Sequence, residues 1–200
     1  MTRSLRACCG VALLPVVLGG LSLRAEAPVR WGLQVGLGLA ASNDLKVTTG
    51  IGPTLGFGVF GDWQFRERQA LRGRVEFSFF GEGTQVNEAP GLHQELTTTV
   101  KNASLGAEYV FRPAWQGGRW SVGGGLYLIR WTVDGSNHLV TPVGTFTPSG
   151  STTWTRQGLG VLAGYRWTER ADLEVRVVAS HYGQENQPTC VASLNLLLHF

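Results

Sequence analysis

The chain has 200 residues and a formal net charge of +3, with 17 Lys or Arg residues against 14 Asp or Glu residues. This length suits a single domain with a short leader. So small an excess of basic residues gives no reason to expect a nucleic-acid partner.

Residues 1–27 have the pattern of a secretory signal peptide. Two arginines near the start precede an apolar stretch, and Ala25 and Ala27 supply the small residues that signal peptidase requires. Because Pro28 would follow a cut after Ala27, cleavage after Ala25 is the alternative. A retained anchor is the competing interpretation, but the apolar stretch is short for a spanning helix. We predict a cleavable signal peptide at 1–27 and one domain at 28–200.

The predicted domain contains no apolar run long enough for a transmembrane helix. Without the leader it has 14 basic and 13 acidic residues, and Cys190 is its only cysteine, so an internal disulfide is excluded. If this domain lies in a membrane, it must cross as a closed barrel, because every backbone polar group within the bilayer needs a hydrogen-bond partner.

Apolar residues alternate with small or polar residues in eight segments after the leader, which is the pattern of β-strands with one apolar face. The segments are 31–40, 51–60, 71–79, 102–111, 120–132, 158–167, 172–180 and 190–200. We see no helical period. The sequence therefore predicts an all-β fold.

The connections between these segments alternate in length. Compact turns are predicted at 62–69, 112–118 and 168–170, and longer loops at 41–50, 81–97, 134–153 and 181–189. Four loops on one side, with three turns and both termini on the other, indicate an eight-stranded antiparallel up-and-down barrel. Short turns and longer outer loops are typical of bacterial membrane barrels.

Aromatic residues collect at the turn-side ends of the predicted strands. They are Trp63, Phe65, Phe111, Trp115, Trp120, Trp167 and Phe200. Aromatic rings form such girdles at membrane interfaces. The alternative eight-stranded fold is a soluble lipocalin-like carrier, whose apolar face would line a ligand cavity. A soluble barrel, however, does not require aromatic residues to cluster at one end of its strands.

The opposite face of the strands consists of glycines and charges. The charged members are Arg72, Arg74, Glu76, Glu108, Arg166, Asp172, Glu174 and Arg176. Four residues of each sign permit paired charges inside a narrow barrel, and eight strands leave little more than side-chain room. An ion path or catalytic carboxylates are the competing interpretation. If consecutive strands pair about the centre of the turn that joins them, Gly58 lies opposite Arg74, Gly123 opposite Glu108 and Gly164 opposite Glu174.

With its leader, its alternating segments and the run Leu-Gly-Ala-Glu-Tyr-Val-Phe at 105–111, the chain resembles the small OmpA/OmpX-like outer-membrane barrels. The resemblance covers the whole predicted domain. It implies a bacterial outer-membrane location among membrane lipid, with both termini periplasmic. It also implies that the last strand is the signal read by the barrel-assembly machinery during insertion. That signal comprises Leu194, Leu196, Leu198 and Phe200.

Catalytic and metal chemistry find little support in the sequence. The four histidines are scattered, and we predict neither a metal site nor a cofactor. His181 resembles the rim histidine of lipid A deacylases, an alternative function of the enzyme class. However, Gly183 and Gln184 stand where that resemblance requires Ser and Asn, so the nucleophile is missing. Loops 81–97 and 134–153 are long enough to bind an extracellular partner. We therefore predict a structural or surface-interaction role.

Overall fold

A computed structural model describes residues 29–40, 53–182 and 187–200. The predicted signal peptide and the loop at 41–50 lie outside these residues. The described strands are β1 (Val29–Ala40), β2 (Thr54–Arg66), β3 (Gln69–Ala89), β4 (Leu92–Phe111), β5 (Trp120–Thr141), β6 (Gly144–Phe146), β7 (Ser149–Thr168), β8 (Ala171–Tyr182) and β9 (Gln187–His199). A 3₁₀ turn, Trp115–Gly118, lies between β4 and β5.

Eight of these strands form a closed antiparallel ring. Neighbours along the chain pair with each other, β5 pairs with β7, and β1 pairs with β9 to close the ring. The short strand β6 pairs only with the tip of β5 and adds no member to the ring. The predicted eight-stranded antiparallel barrel is confirmed.

The apolar face of each strand points outward. On β9, Leu194, Leu196 and Leu198 are 54%, 37% and 40% exposed, whereas Asn195 and Leu197 between them are 2% and 0% exposed. The same alternation runs through β1, β2 and β3. A soluble carrier of apolar ligands has the opposite arrangement, with its apolar face lining the interior.

The segments 81–97 and 134–153 are not loops, contrary to the prediction. They are the ends of long hairpins, in which β3 pairs with β4 as far as Ala89 and Leu92, and β4 pairs with β5 as far as His93 and Val140. These hairpin ends lie beyond the apolar band, so neither face of their strands needs to be apolar. Their sequences therefore lack the alternation from which strands were predicted. Their backbone groups are nevertheless satisfied by the neighbouring strands.

The predicted register of two strand pairs is wrong by two residues. Gly58 lies opposite Glu76 rather than Arg74, and Gly125 rather than Gly123 lies opposite Glu108. For β2 and β3 the cause is the position of the turn: β2 continues to Arg66 and β3 begins at Gln69, so the turn is centred later in the chain than the middle of the predicted turn at 62–69. The shift brings Asp62 opposite Arg72. Gly164 does lie opposite Glu174, as predicted.

Candidate functional site in the barrel lumen

Buried arginines and carboxylates meet at the centre of the lumen. Arg74 donates through Nη2 to Glu108 Oε2 (3.0 Å) and to Glu174 Oε1 (2.7 Å), and through Nη1 to Gln34 Oε1 (2.5 Å). These four side chains project from four different strands. Arg74 therefore ties β1, β3, β4 and β8 together.

Arg72 makes the second set of contacts, two residues closer to the turns along β3. Its guanidinium donates through Nε to Asp62 Oδ1 (2.6 Å) and through Nη2 to Asp62 Oδ2 (3.0 Å), a bidentate pair. Its Nη1 donates to Glu174 Oε2 (2.6 Å). Since Glu174 accepts from Arg72 with one oxygen and from Arg74 with the other, it is the carboxylate that joins the two arginines.

Arg176 and Glu76 extend the cluster toward the loop side. Arg176 donates to Glu76 Oε2, and Gln34 donates to the same oxygen. Tyr127 donates its hydroxyl proton to Glu108. The Tyr127 ring fits because Gly106 and Gly160 face it: a Cβ at either position would stand 2.7 or 2.5 Å from ring carbons.

A third set of contacts lies at the turn-side rim. Arg166 donates through Nε to Asp172 Oδ1 (3.2 Å), and His199 Nε2 lies 3.0 Å from the other oxygen of Asp172. Arg112 donates to Asp62 Oδ2 across 3.4 Å. Arg166 thus pairs at the rim rather than within the central cluster and is partly open to solvent.

All eight charged residues that the alternation placed inside do lie on the inner face. Four polar members of the cluster were not predicted from the sequence. They are Gln34, Asp62, Tyr127 and His199. Asp62 was missed because Gly61-Asp62 resembles the start of a turn, whereas β2 continues to Arg66. Tyr127 was placed on the inner face by its parity, but only the register shows that it reaches Glu108.

An apolar layer fills the lumen on the loop side of the charges. It is formed by Phe80, Val100, Tyr127, Ile129 and Trp131. The rings of Phe80 and Trp131 pack at a centroid distance of 5.2 Å, and Trp131 is completely buried. The interior is therefore not uniformly charged, contrary to the expectation from the sequence. On the loop side of the charged cluster, the inward positions of the strands carry bulky apolar residues instead of charges.

Little free space remains between the charged and apolar layers. The cavity there, bounded by Glu76, Ser78, Tyr127, Trp131 and Arg176 among others, has a volume of about 40 Å³. That volume holds only a few water molecules and excludes a drug-sized ligand, for which pockets of roughly 300–1,000 Å³ are usual. The described lumen is packed with side chains.

The predicted aromatic girdle lies at the turn-side end of the barrel. Trp63 packs beside Phe65 at 5.9 Å, and Trp167 is 65% exposed. The remaining predicted members, Phe111, Trp115, Trp120 and Phe200, lie at the same end of their strands or in the turn that follows. Trp31, Tyr109 and Tyr165 were not among the predicted members. Tyr109 lies 6.4 Å from Phe65 and Tyr165 lies 5.2 Å from Trp120, so the belt extends around the barrel.

The lipid A deacylase alternative rests on His181, which is exposed near the end of β8. The positions at which that resemblance needs a nucleophile and its neighbour, 183 and 184, lie outside the described residues. Within 29–40, 53–182 and 187–200, no group of three or more His, Cys, Asp or Glu side chains is placed to hold a metal ion. No helix in the same ranges is long and apolar enough to span a membrane.

No protein-family model matches the chain, and no curated protein matches it in sequence. Solved structures do resemble it. The attachment invasion locus protein Ail of Yersinia pestis is 14% identical, with 88% of this chain and 99% of that chain covered and a TM-score of 0.54. A major outer membrane protein from Thermus thermophilus is 12% identical, with 86% and 100% covered and a TM-score of 0.58.

A second structure of Ail, in complex with the heparin analogue sucrose octasulfate, is 12% identical over 86% of this chain and 99% of that chain, with a TM-score of 0.51. Identities this low establish the fold alone. The chain has the fold of the small eight-stranded outer-membrane β-barrel proteins.

Proposed function

We propose that this protein is an integral barrel of the bacterial outer membrane, with a filled lumen, periplasmic turns and termini, and an external sheet that binds a partner. The observation that supports it best is the closed ring whose outer face is an apolar band. A soluble monomer rarely exposes a contiguous apolar patch larger than a few hundred Å². A continuous apolar band around a barrel is expected only where acyl chains cover it.

The height of the band fits a bilayer. On β4 eleven residues run from Lys101 to Phe111, and a tilted membrane strand needs about 9–11. Phe111 belongs to the aromatic girdle. At the other boundary Lys101 lies 2.7 Å from Asp134, and both side chains are exposed. The hydrogen bond from Lys101, followed by that from Ser151, holds the pKa of Asp134 below its usual value, as expected for an ion pair in water.

Beyond this boundary the strands β3, β4, β5 and β7 continue as a protruding sheet, comprising residues 82–99 and 134–151. Its acidic residues are Glu82, Glu88, Glu95 and Asp134, and it contains no Lys or Arg. The sulfated ligand seen with Ail is therefore a poor model for the partner here, because an acidic surface repels polyanions. We infer a neutral or basic partner on this sheet.

The lipid-facing residues Leu194, Leu196, Leu198 and Phe200 support a further part of the proposal, that β9 serves as the assembly signal. Lipid, the barrel-assembly machinery and an extracellular ligand are thus the proposed partners.

The contacts in the lumen favour a structural role for its charges over an ion path, since each arginine of the central cluster bonds to at least one carboxylate.

The interaction role is tested by shortening one hairpin. Residues 137–148 are replaced by a two-residue turn, which retains the pairing of Ser136 with Ser149. We expect the variant to remain in the outer-membrane fraction and to migrate differently on gels before and after heating, as a closed barrel does. We expect cells that display it to lose adhesion or serum resistance relative to cells with the full chain.

The matched control is Glu169→Gln, which removes one exposed charge from the β7–β8 turn at the opposite end of the barrel and leaves every strand in place. A shortened hairpin that folds, inserts and leaves both adhesion and serum resistance unchanged would contradict the interaction role. Loss of heat-dependent migration in the full-length protein would instead contradict the barrel itself.

A further inference from the structure

The turn-side mouth of the barrel is strongly basic, in contrast to the acidic protruding sheet. Its open cavity has a volume of about 320 Å³ and is lined by Arg30, Arg68, Arg112 and Arg166, with Glu67 as the one acidic lining residue among the described positions. Arg112 and Arg166 are paired with Asp62 and Asp172, so the excess of positive charge comes from Arg30 and Arg68 against Glu67. This size lies at the lower end of the range for small-molecule sites.

Most of the hydrogen-bonding capacity of these arginines is unused. Arg112 contacts Asp62 through one nitrogen, and Arg166 contacts Asp172 through Nε. Among the described residues, the two terminal nitrogens of Arg166 have no hydrogen-bond partner and could bind a ligand. Arg30 and Arg68 are exposed and have no ion-pair partner among the described residues. The carboxylates of the rim are already shared, since Asp62 also accepts two bonds from Arg72.

Two further features favour an anion in this cavity. Burial and then the neighbouring Arg166 lower the pKa of Arg112, so positive charge is crowded at the mouth. Gly117 and Gly118 form part of the wall, in left-handed conformations with φ of 68° and 71°. A Cβ on Gly117 would meet no atom within 4 Å, so this wall is open to a ligand that approaches the backbone.

We propose that the turn-side mouth is a binding site for a phosphate-bearing anion. Guanidinium groups match phosphate oxygens with paired, charge-assisted hydrogen bonds, and four of them can surround a group that carries two negative charges. A soluble phosphate ester and the head group of an anionic phospholipid share this chemistry. The site lies at the end of the barrel opposite the proposed interaction surface and is independent of it.

The test uses the full-length protein in nanodiscs of phosphatidylcholine, titrated with inorganic pyrophosphate and followed by isothermal titration calorimetry. We expect saturable binding of one anion per barrel. Arg30→Gln with Arg68→Gln, two exposed residues outside the buried cluster, should weaken binding by at least about tenfold. Arg119→Gln with Arg170→Gln removes the same charge from the same end but outside the cavity, and should change affinity by less than about threefold.

A second arm adds phosphatidylglycerol to the nanodiscs. If this lipid competes with pyrophosphate for the wild-type protein and for the Arg119/Arg170 control, the bound group is a lipid head group. If affinity for pyrophosphate stays unchanged, the ligand is a soluble phosphate. Both results support the site. Absence of saturable binding in either lipid, or an equal loss in the two double variants, would overturn it, because a general basic field would then explain all of the attraction.

Discussion

Replacing Glu174 with Gln is expected to reduce the free energy of unfolding by about 3 kcal/mol. Removing one partner from a buried ion pair costs roughly 3–5 kcal/mol, because the remaining charge is left uncompensated. The lower end applies here, since Arg72 keeps Asp62 and Arg74 keeps Glu108. The measurement is urea-induced unfolding from lipid vesicles, followed by tryptophan fluorescence.

Glu82→Gln is the matched control for this experiment, because it makes the same chemical change on the exposed protruding sheet. It should unfold at the urea concentration of the wild-type protein. If both variants were equally stable, the two contacts of Glu174 would contribute nothing measurable. The lumen charges would then have to be explained by something other than cohesion, and the ion-path interpretation would regain support.

Replacing Trp131 with Ala is expected to cost about 3–5 kcal/mol, the range for truncating a buried large aromatic residue. Trp131 is completely buried and packs on Phe80, so its removal leaves a cavity in the apolar layer. The same urea titration measures the loss. Phe146→Ala removes an aromatic ring from a 52% exposed position on the protruding sheet, outside the aromatic girdle, and should cost less than about 1 kcal/mol.

The Trp131→Ala variant also distinguishes a filled lumen from an open pore. Removing Trp131 opens only the loop-side part of the lumen, because the charged cluster below it is intact. Planar-bilayer recordings should therefore show no stable large conductance for the wild type or for Trp131→Ala. Stable large conductance of the wild-type protein would contradict a filled interior, and conductance of the variant alone would identify the apolar layer as the seal.

The strand number, the outward apolar face and the inward charges could all be predicted from the sequence, because each is a consequence of alternation with period two. Leu194, Leu196 and Leu198 on β9 illustrate this most clearly. The partners of the charges could not be predicted in the same way. The β2–β3 turn lies later in the chain than predicted, which places Arg74 opposite Phe60 instead of Gly58, and alternation contains no information on such shifts.

The β-forming residues Leu139, Val140, Val143 and Phe146 suggest that strands extend beyond the membrane, but the extent of the protruding sheet could not be predicted from alternation. Alternation reports a difference between two environments, and residues such as Thr97 to Thr99 on β4 lie beyond the apolar band. Their strand structure depends on pairing with β3 and β5 rather than on an apolar face. The apolar layer around Trp131 was missed for a related reason: Phe80 of β3 and Val100 of β4 meet the inward residues of β5 only when the strands pair and the ring closes.

The most direct test of the central claim is the contact of lipid chains with individual leucines on β9. The protein is labelled at its leucine methyl groups and placed in nanodiscs of protonated lipid, and nuclear Overhauser effects from acyl-chain protons are recorded. We expect cross-peaks to Leu194, Leu196 and Leu198, and none to Leu197, which is completely buried inside the barrel. Cross-peaks to Leu197 without cross-peaks to its three neighbours would contradict an apolar face that points outward into lipid.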